Sequence, residues 1–449
     1  MAAATLGGNP EELETVTPTA TAAETTVAAA GIRSRPAHAP HAPHAPRDGR
    51  GALPVPLPGP APAISPAPGA AIATFILAGG EGRRLLPLTA ETPKPAVGFG
   101  PDGRIIDFVL ESCLASAISS VAVLAQYRAQ PLERYLAERF APRFRHAGGA
   151  LAVVRQGAGP IPYGSGTADA ILDGLGALRP DLRTLLVLAA DHVYRMDYAA
   201  FLRAHAEARA DATIAAVPVP IAEARRFGVI EAGADGAVAG FREKPPAPAP
   251  MPDDPARALA SMGIYVFRRE ALARARAAIG RPGNVDFGRD VVPALLAGGA
   301  RVVAYPHRQP GTGAPALWFD VGTPEALLEA TRVLHPGGSV HSTARVAPGA
   351  AVRGSVVRAG ATVEPGATVV RSLVYESAVI GAGARVEDAV VVPGARVRPG
   401  ARVGPGLVVD GVEAATTAAI APPLPLLPPG GPSAIAPGPA RAAAAAASW

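Results

Sequence analysis

From Ile72 onward, short apolar runs alternate with amphipathic stretches, the pattern of parallel strands joined by helices. Apolar runs at 72–78, 121–125, 184–190 and 213–217 predict strands; 3.6-residue periodicity at 105–118, 168–178, 197–209, 286–297 and 324–333 predicts helices. The expectation is an α/β fold over 72–338 with a doubly wound, mostly parallel sheet, in which ligands bind beyond the carboxyl ends of the strands. After Gly338 the period becomes six: Val340, Val346 and Val352, then Val357, Val363 and Val369, then Ile380, Val386 and Val392. Pro-Gly and Ala-Gly pairs at the corners make this a left-handed hexapeptide β-helix over 339–410, with three six-residue faces per turn and about four turns. Its open edge and stacked face predict an oligomer.

Residues 1–71 and 411–449 carry no apolar periodicity and are rich in Ala and Pro, which predicts two disordered tails. These tails and the coil corners absorb the 50 Gly and 50 Pro of the 449 residues. One cysteine, Cys113, excludes an internal disulfide framework and fits a reducing compartment. No apolar run approaches the roughly 20 residues that span a bilayer, and no basic-then-apolar leader opens the chain. A soluble, cytoplasmic protein without a membrane partner is expected. The net charge of +5 suits anionic small molecules, and no basic tract with interleaved aromatics points to nucleic acid.

Forty of the 42 basic residues are Arg; Lys occurs only at Lys94 and Lys244. Against that bias a Lys marks a place where a compact ammonium serves and a planar guanidinium fork does not, such as a phosphate cleft. Two lysines left on the surface by chance is the plainer alternative. The first predicted strand runs into Leu77-Ala78-Gly79-Gly80-Glu81-Gly82-Arg83-Arg84-Leu85, followed by Pro87-Leu88-Thr89 and Lys94-Pro95-Ala96. Glycines directly after a strand let backbone N–H groups face a polyphosphate. Alone the cluster could equally be a tight turn, and it is neither a Walker A loop nor a dinucleotide fingerprint. Arg84 and Lys94 close behind it favour the phosphate reading.

These residues resemble the signature of the sugar-nucleotide pyrophosphorylases. Arg104-Ile105-Ile106-Asp107-Phe108, Gly166-Thr167-Ala168-Asp169-Ala170, Asp191-His192-Val193-Tyr194, Ser261-Met262-Gly263-Ile264-Tyr265 and Asp320-Val321-Gly322-Thr323 are similar to segments of the glucose-1-phosphate adenylyltransferases, also called ADP-glucose pyrophosphorylases. The resemblance, coil included, covers about 72–410. It implies transfer from ATP to glucose 1-phosphate with Mg²⁺, giving ADP-glucose and pyrophosphate for glycogen or a related α-glucan. It also implies a homotetramer and an allosteric metabolite effector. The nucleotide would lie on Leu77, Ala78, Gly79, Gly80 and Gly82, with Gln126, Gly166 and Thr167 at base and ribose. Arg84 would bind the leaving phosphates, Lys94 would sit by the α-phosphate, and Asp191 and Asp320 would hold Mg²⁺. Glu243, Lys244, Ser261 and Gly263 would bind glucose 1-phosphate. Taken singly, a strand-end Asp is more often a helix cap and a Glu-Lys pair a solvated strand end.

Several positions depart from the family pattern. Ser165 and Phe319 replace usual arginines, and Ala190 replaces a glycine. Glu91 stands three before Lys94, where many members carry a basic residue for a sugar-phosphate activator, so weak activation by fructose 1,6-bisphosphate is expected. Two other readings stay open: a non-catalytic regulatory paralogue, and a related sugar-1-phosphate nucleotidyltransferase using another base or sugar.

Overall fold

The computed structural model describes residues 71–408 apart from 156–165, 167, 282 and 310–312. The tails predicted for 1–71 and 411–449, apart from Ala71, lie outside the described residues, as do Ser165 and Thr167.

Strand β1 (Ala71–Ala78) is followed by a small hairpin, β2 (Gly98–Phe99) and β3 (Gly103–Arg104), and then by β4 (Ser120–Ala125), β5 (Ala150–Arg155) and β6 (Leu182–Ala189). Next come β7 (His192–Tyr194), β8 (Ala212–Pro220), β9 (Gly228–Ala232), β10 (Val238–Glu243), β11 (Arg257–Arg268), β12 (Val302–Pro306) and β13 (Trp318–Asp320). In the nine-stranded central sheet, β5, β4, β1 and β6 lie side by side and parallel; the apolar runs predict β1, β4 and β6, while the half-exposed edge strand β5 is not among them. Beyond β6 the sheet continues differently: β11 pairs antiparallel with β6, β8 and β9, and β9 forms an antiparallel hairpin with β10.

At β6 the sheet is buried on both faces, which explains the absence of polar alternation in that strand. Leu186 and Leu188 face a core holding Ile106, Val109, Leu110, Phe140 and Phe144. Leu185 and Val187 face another, with Phe267, Leu272, Phe287 and Val291. Burying one such side chain contributes about 1.5–3 kcal/mol. Two helices start where side-chain oxygens take orphan N–H groups: Asp197 Oδ1 accepts from Ala200 N (3.0 Å) ahead of Tyr198–Glu207, and Thr323 Oγ1 from Ala326 N (3.3 Å) ahead of Pro324–Leu334. The helix predicted at 286–297 opens with a π turn, Phe287–Val291, capped by Asp286 Oδ1.

The hexapeptide region is a β-helix of three parallel ladders, with one correction to its period. Each turn takes 17 residues, as in the pairs Val357↔Val374 and Val374↔Val391, so Val391 and not Val392 continues the stack. The third corner is the short one: Gly354, Arg371 and Asp388 adopt left-handed φ of 53°, 47° and 54° and turn the chain in one residue fewer. Serines follow the corner, and Ser355 Oγ accepts from Ser372 N (3.0 Å) while Ser372 Oγ accepts from Ala389 N (3.1 Å). The coil interior is continuous with Leu327, Leu328 and Leu334 of the preceding helix and with Phe99, Ile105 and Phe108 near the hairpin.

Of three buried imidazoles, His205, His307 and His335, all held below their ordinary pKa by burial, the first two are lowered most. His205 shares a hydrogen bond with Thr213 Oγ1 (2.8 Å), and His307 Nε2 has no partner among the described residues. Burial lowers both pKa values to about 4 from the ordinary 6.5. The unfolded chain therefore binds more protons between pH 4 and 6.5, and stability is lost as pH falls through that window, by up to about 3 kcal/mol per imidazole. Asp107 acts in the opposite sense, because burial pushes its carboxyl up to about 6 despite the Tyr135 hydrogen bonds. The two histidines outweigh it. Thermal melts from pH 8 to pH 4 are expected to show a falling midpoint below about pH 6.5; a midpoint constant down to pH 4.5 would contradict this.

Candidate functional site

A cavity of about 390 Å³ opens at the carboxyl ends of β1, β4 and β6. One wall comes from the glycine loop. Leu77, Gly79 and Gly80 line it, and so does Gln126 at the end of β4, whose Oε1 lies 2.5 Å from where a Cβ on Gly79 would stand. Any side chain at 79 would expel Gln126. Arg84, on the short turn Arg83–Leu85, reaches across the cavity edge to Gly322, with Nη2 2.7 Å from the position of a Cβ there.

The floor is an ion cluster. Lys94 Nζ donates to Asp191 Oδ2 (3.0 Å) and to Asp320 Oδ1 (3.1 Å), and the ammonium is buried. Asp191 follows β6, while Asp320 ends β13, whose pairing with β7 sets it opposite His192 and so beside Asp191. Burial alone would lower the Lys94 pKa, but the charges and hydrogen bonds of the two carboxylates override it and raise it. Conversely, burial would raise Asp191; the His192 and Lys94 charges and the Lys94 hydrogen bond hold it well below its ordinary value. Asp320 is likewise lowered against its burial, first by Lys94. All three groups are charged at neutral pH.

The far wall belongs to the antiparallel half of the sheet. Glu243 ends β10 and Lys244 follows it with φ 46°, their side chains paired at 2.9 Å. Ser261 and Gly263 sit where β11 breaks register between Ser261 and Tyr265; Gly263 has φ 69°, and its N–H donates to Ser261 Oγ (3.2 Å). All four line the same cavity.

Twelve of the predicted site residues thus surround one space: Leu77, Gly79, Gly80, Arg84, Lys94 and Gln126 with Asp191, Glu243, Lys244, Ser261, Gly263 and Asp320. Ala78, Gly82 and Gly166 do not line it. Ala78 is buried inside β1, Gly82 turns left-handed beneath Thr89 and Lys94, and Gly166 packs on Val285. Ten lining residues carried no role in the sequence reading, among them His192, Arg226 and Asp286. His192 Nδ1 lies 3.2 Å from Met262 O, and its ring is edge-on to Trp318. Adjacency to Asp191 was its one signal. Glu91 is tied to Arg128 Nη1 (2.5 Å), which offsets the repulsion expected of it.

The residues that fold this cavity are the ones matched by comparison. The nucleotidyl transferase profile matches residues 73–336. The chain belongs to the nucleotidyl transferase family. A second profile, GlmU-like C-terminal hexapeptide, matches 329–418, in accord with the β-helix. This nucleotidyl transferase is 40% identical over 223 residues to glucose-1-phosphate adenylyltransferase 2 of Alkalilimnicola ehrlichii, covering 49% of this chain and 52% of that protein. It is 38% identical over 231 residues to the glucose-1-phosphate adenylyltransferases of Shewanella sp. (strain W3-18-1) and Shewanella putrefaciens, covering 50% of this chain and 54% of theirs. The match spans about half the length of these curated relatives. Among the described residues, no helix is long and apolar enough to cross a membrane.

Proposed function

We propose that the chain transfers an adenylyl group from ATP to glucose 1-phosphate, making ADP-glucose and pyrophosphate. The observation that supports this best is the shared cavity, with Lys94, Asp191 and Asp320 on its floor and Glu243, Lys244 and Ser261 on the opposite wall. A phosphate oxygen of the sugar phosphate attacks the α-phosphorus of ATP, a P–O bond forms, and the bond to the β-phosphate breaks with its electron pair leaving on pyrophosphate. The nucleophile is already anionic, so no general base is needed. The barrier is the approach of two anions, and the remedy is fixed positive charge.

Each residue takes a part in that scheme. Arg84 holds the β- and γ-phosphates beside the glycine loop, while Gln126 contacts the base; Gly166, packed on Val285, is left without the ribose contact the resemblance implies. Lys94 stabilises charge on the α-phosphate; Lys244 grips the sugar phosphate, and Glu243, Ser261 and Gly263 receive the sugar hydroxyls. Asp191 and Asp320 fit Mg²⁺: both are ionised hard-oxygen donors, and they already share a cation, the Lys94 ammonium. Among the described residues no third ligating side chain completes a cage, which suits an ion that keeps most of its water. Bound there, Mg²⁺ supplies neutralisation of phosphate charge.

A homotetramer, an allosteric effector, a cytoplasmic setting and use of the product for α-glucan belong to the same proposal and rest on the sequence resemblance alone. The test is pyrophosphate release from Mg²⁺, glucose 1-phosphate and, separately, ATP, UTP, dTTP and GTP. Release with ATP alone is the expected result. Release with another nucleotide instead moves the chain to a related transferase, and release with none makes it a non-catalytic paralogue.

A further inference from the structure

Arg226 lies between the short helix Ile221–Ala224 and β9, and its guanidinium lines the cavity. Nη1 donates to Glu223 Oε2 at 2.9 Å and Nη2 to Asp320 Oδ2 at 3.4 Å, and the side chain remains 34% exposed. The guanidinium carbon stands 5.4 Å from the centre of the Phe227 ring, and that ring packs on Trp318 of β13, the strand that ends in Asp320. Arg226 is thus aimed inward by aromatic packing as well as by charge.

Two further facts place it. Lys244 N donates to Phe227 O (3.0 Å), so Arg226 and Lys244 rise from adjoining segments of one wall, across the cavity from the glycine loop. Charge in the ligand-free cavity is also largely self-compensated. Lys94 is held by Asp191 and Asp320, Lys244 by Glu243, and Arg226 by Glu223 and Asp320, whereas Arg84 makes no ion pair among the described residues. A phosphate arriving on the Lys244 side, away from Arg84, must therefore take a cation from a carboxylate. The bond from Arg226 to Asp320 is the longest of these and partly exposed, hence the weakest.

We propose that Arg226 is a phosphate-binding residue of this site, exchanging Asp320 for the phosphate of the sugar 1-phosphate beside Lys244. The proposal rests on the adenylyltransferase reading and adds a residue to it. The exchange also frees Asp320 Oδ2, so the site gains a carboxylate oxygen as it gains the sugar phosphate. A guanidinium offers the phosphate two parallel N–H groups, which the ammonium of Lys244 does not.

The test compares wild type, Arg226→Gln and Arg226→Lys. In steady-state assays Arg226→Gln is expected to raise KM for glucose 1-phosphate about 10- to 100-fold with KM for ATP within about twofold, and Arg226→Lys, which keeps the charge but not the fork, to fall between. In parallel, the melting shift produced by glucose 1-phosphate alone is measured, with inorganic phosphate as second probe; both shifts are expected to shrink in Arg226→Gln. An unchanged KM for glucose 1-phosphate with active wild type overturns the role of Arg226 and leaves the adenylyltransferase reading intact. A rise confined to KM for ATP overturns it too, by assigning the guanidinium to the nucleotide. Inactive wild type with every nucleotide defeats the functional reading instead, and the melting shifts then still decide whether Arg226 binds phosphate. Arg226→Lys keeps a cation beside the Phe227 ring and carries the test if Arg226→Gln does not fold.

Discussion

Lys94→Met is expected to cut pyrophosphate release by at least about 10²–10³-fold and to lower the melting point, both measured against wild type at pH 7.5. The kinetic loss follows from removing the one buried cation on the cavity floor, where a preorganised charge is worth about 3–4 kcal/mol of barrier. The structural loss has a separate cause. Lys94 is 5% exposed and bridges two carboxylates, so the variant leaves Asp191 and Asp320 facing each other with their cation gone. Breaking a buried ion pair on one side costs about 3–5 kcal/mol, reduced here because Asp191 keeps some contact with water and Arg226 remains on Asp320. The pH dependence separates the two losses. In wild type both carboxyls sit below their ordinary pKa, so their contribution to stability is present above about pH 4 and fades only in stronger acid. Without Lys94 those pKa values rise, protonation relieves the repulsion, and the stability gap to wild type narrows as pH falls toward 5. Turnover does not recover there, because protonated carboxyls do not replace the ammonium. A variant with wild-type turnover would remove Lys94 from the chemistry.

The bias that leaves only two lysines in the chain, and the glycine run after an apolar strand, are enough to find both ends of the cavity. On the proposed function, they work because the chemistry of phosphate restricts residue type more tightly than folding does. Asp191 is legible for a similar reason, as a carboxylate directly after a buried strand. Arg226 is not legible: in a chain with forty arginines one more carries no signal, and its place depends on the β9–β10 hairpin bringing Phe227 under Lys244. That hairpin belongs to the antiparallel half of the sheet, where the sequence pattern is weakest. In β11 the run Ser261-Met262-Gly263 interrupts the apolar pattern at the point where the strand loses register with β8 to face the cavity. Function there has displaced regularity, and periodicity is lost with it. The coil shows the same limit on a smaller scale: the valine spacing of six is plain, but the one-residue contraction at each third corner depends on left-handed φ at Gly354, Arg371 and Asp388, and two of those three residues are not glycine.

Arg358→Met is expected to destabilise the chain by about 2–4 kcal/mol and to depress turnover although Arg358 touches no part of the cavity. Arg358 belongs to the β-helix but is 4% exposed, because its guanidinium is buried against the β2–β3 hairpin. It donates to Gly100 O, to Gly103 O (3.1 Å) and to Glu376 Oε1 (2.7 Å), and lies 5.5 Å from the Tyr375 ring centre. Tyr375 adds a hydrogen bond to Gly98 O (2.9 Å). Methionine fills much of the volume but leaves two carbonyls unpaired, each worth about 1–3 kcal/mol when buried without a donor. The hairpin follows directly on Lys94-Pro95-Ala96, and Ile105 N and Ile106 N return to Val97 O and Pro95 O, so loosening it loosens the segment that aims Lys94. Denaturant melts should show the loss in stability, and the fall in kcat should exceed any change in KM for glucose 1-phosphate, since Lys244, just after β10, and Ser261, in β11, belong to segments that Arg358 does not touch. Tyr375→Phe removes one hydrogen bond from the same contact and is expected to cost about 1 kcal/mol with little effect on turnover. If Arg358→Met melts with wild type and keeps its kcat, the coil is a passive attachment and the position of Lys94 is set within the α/β domain alone.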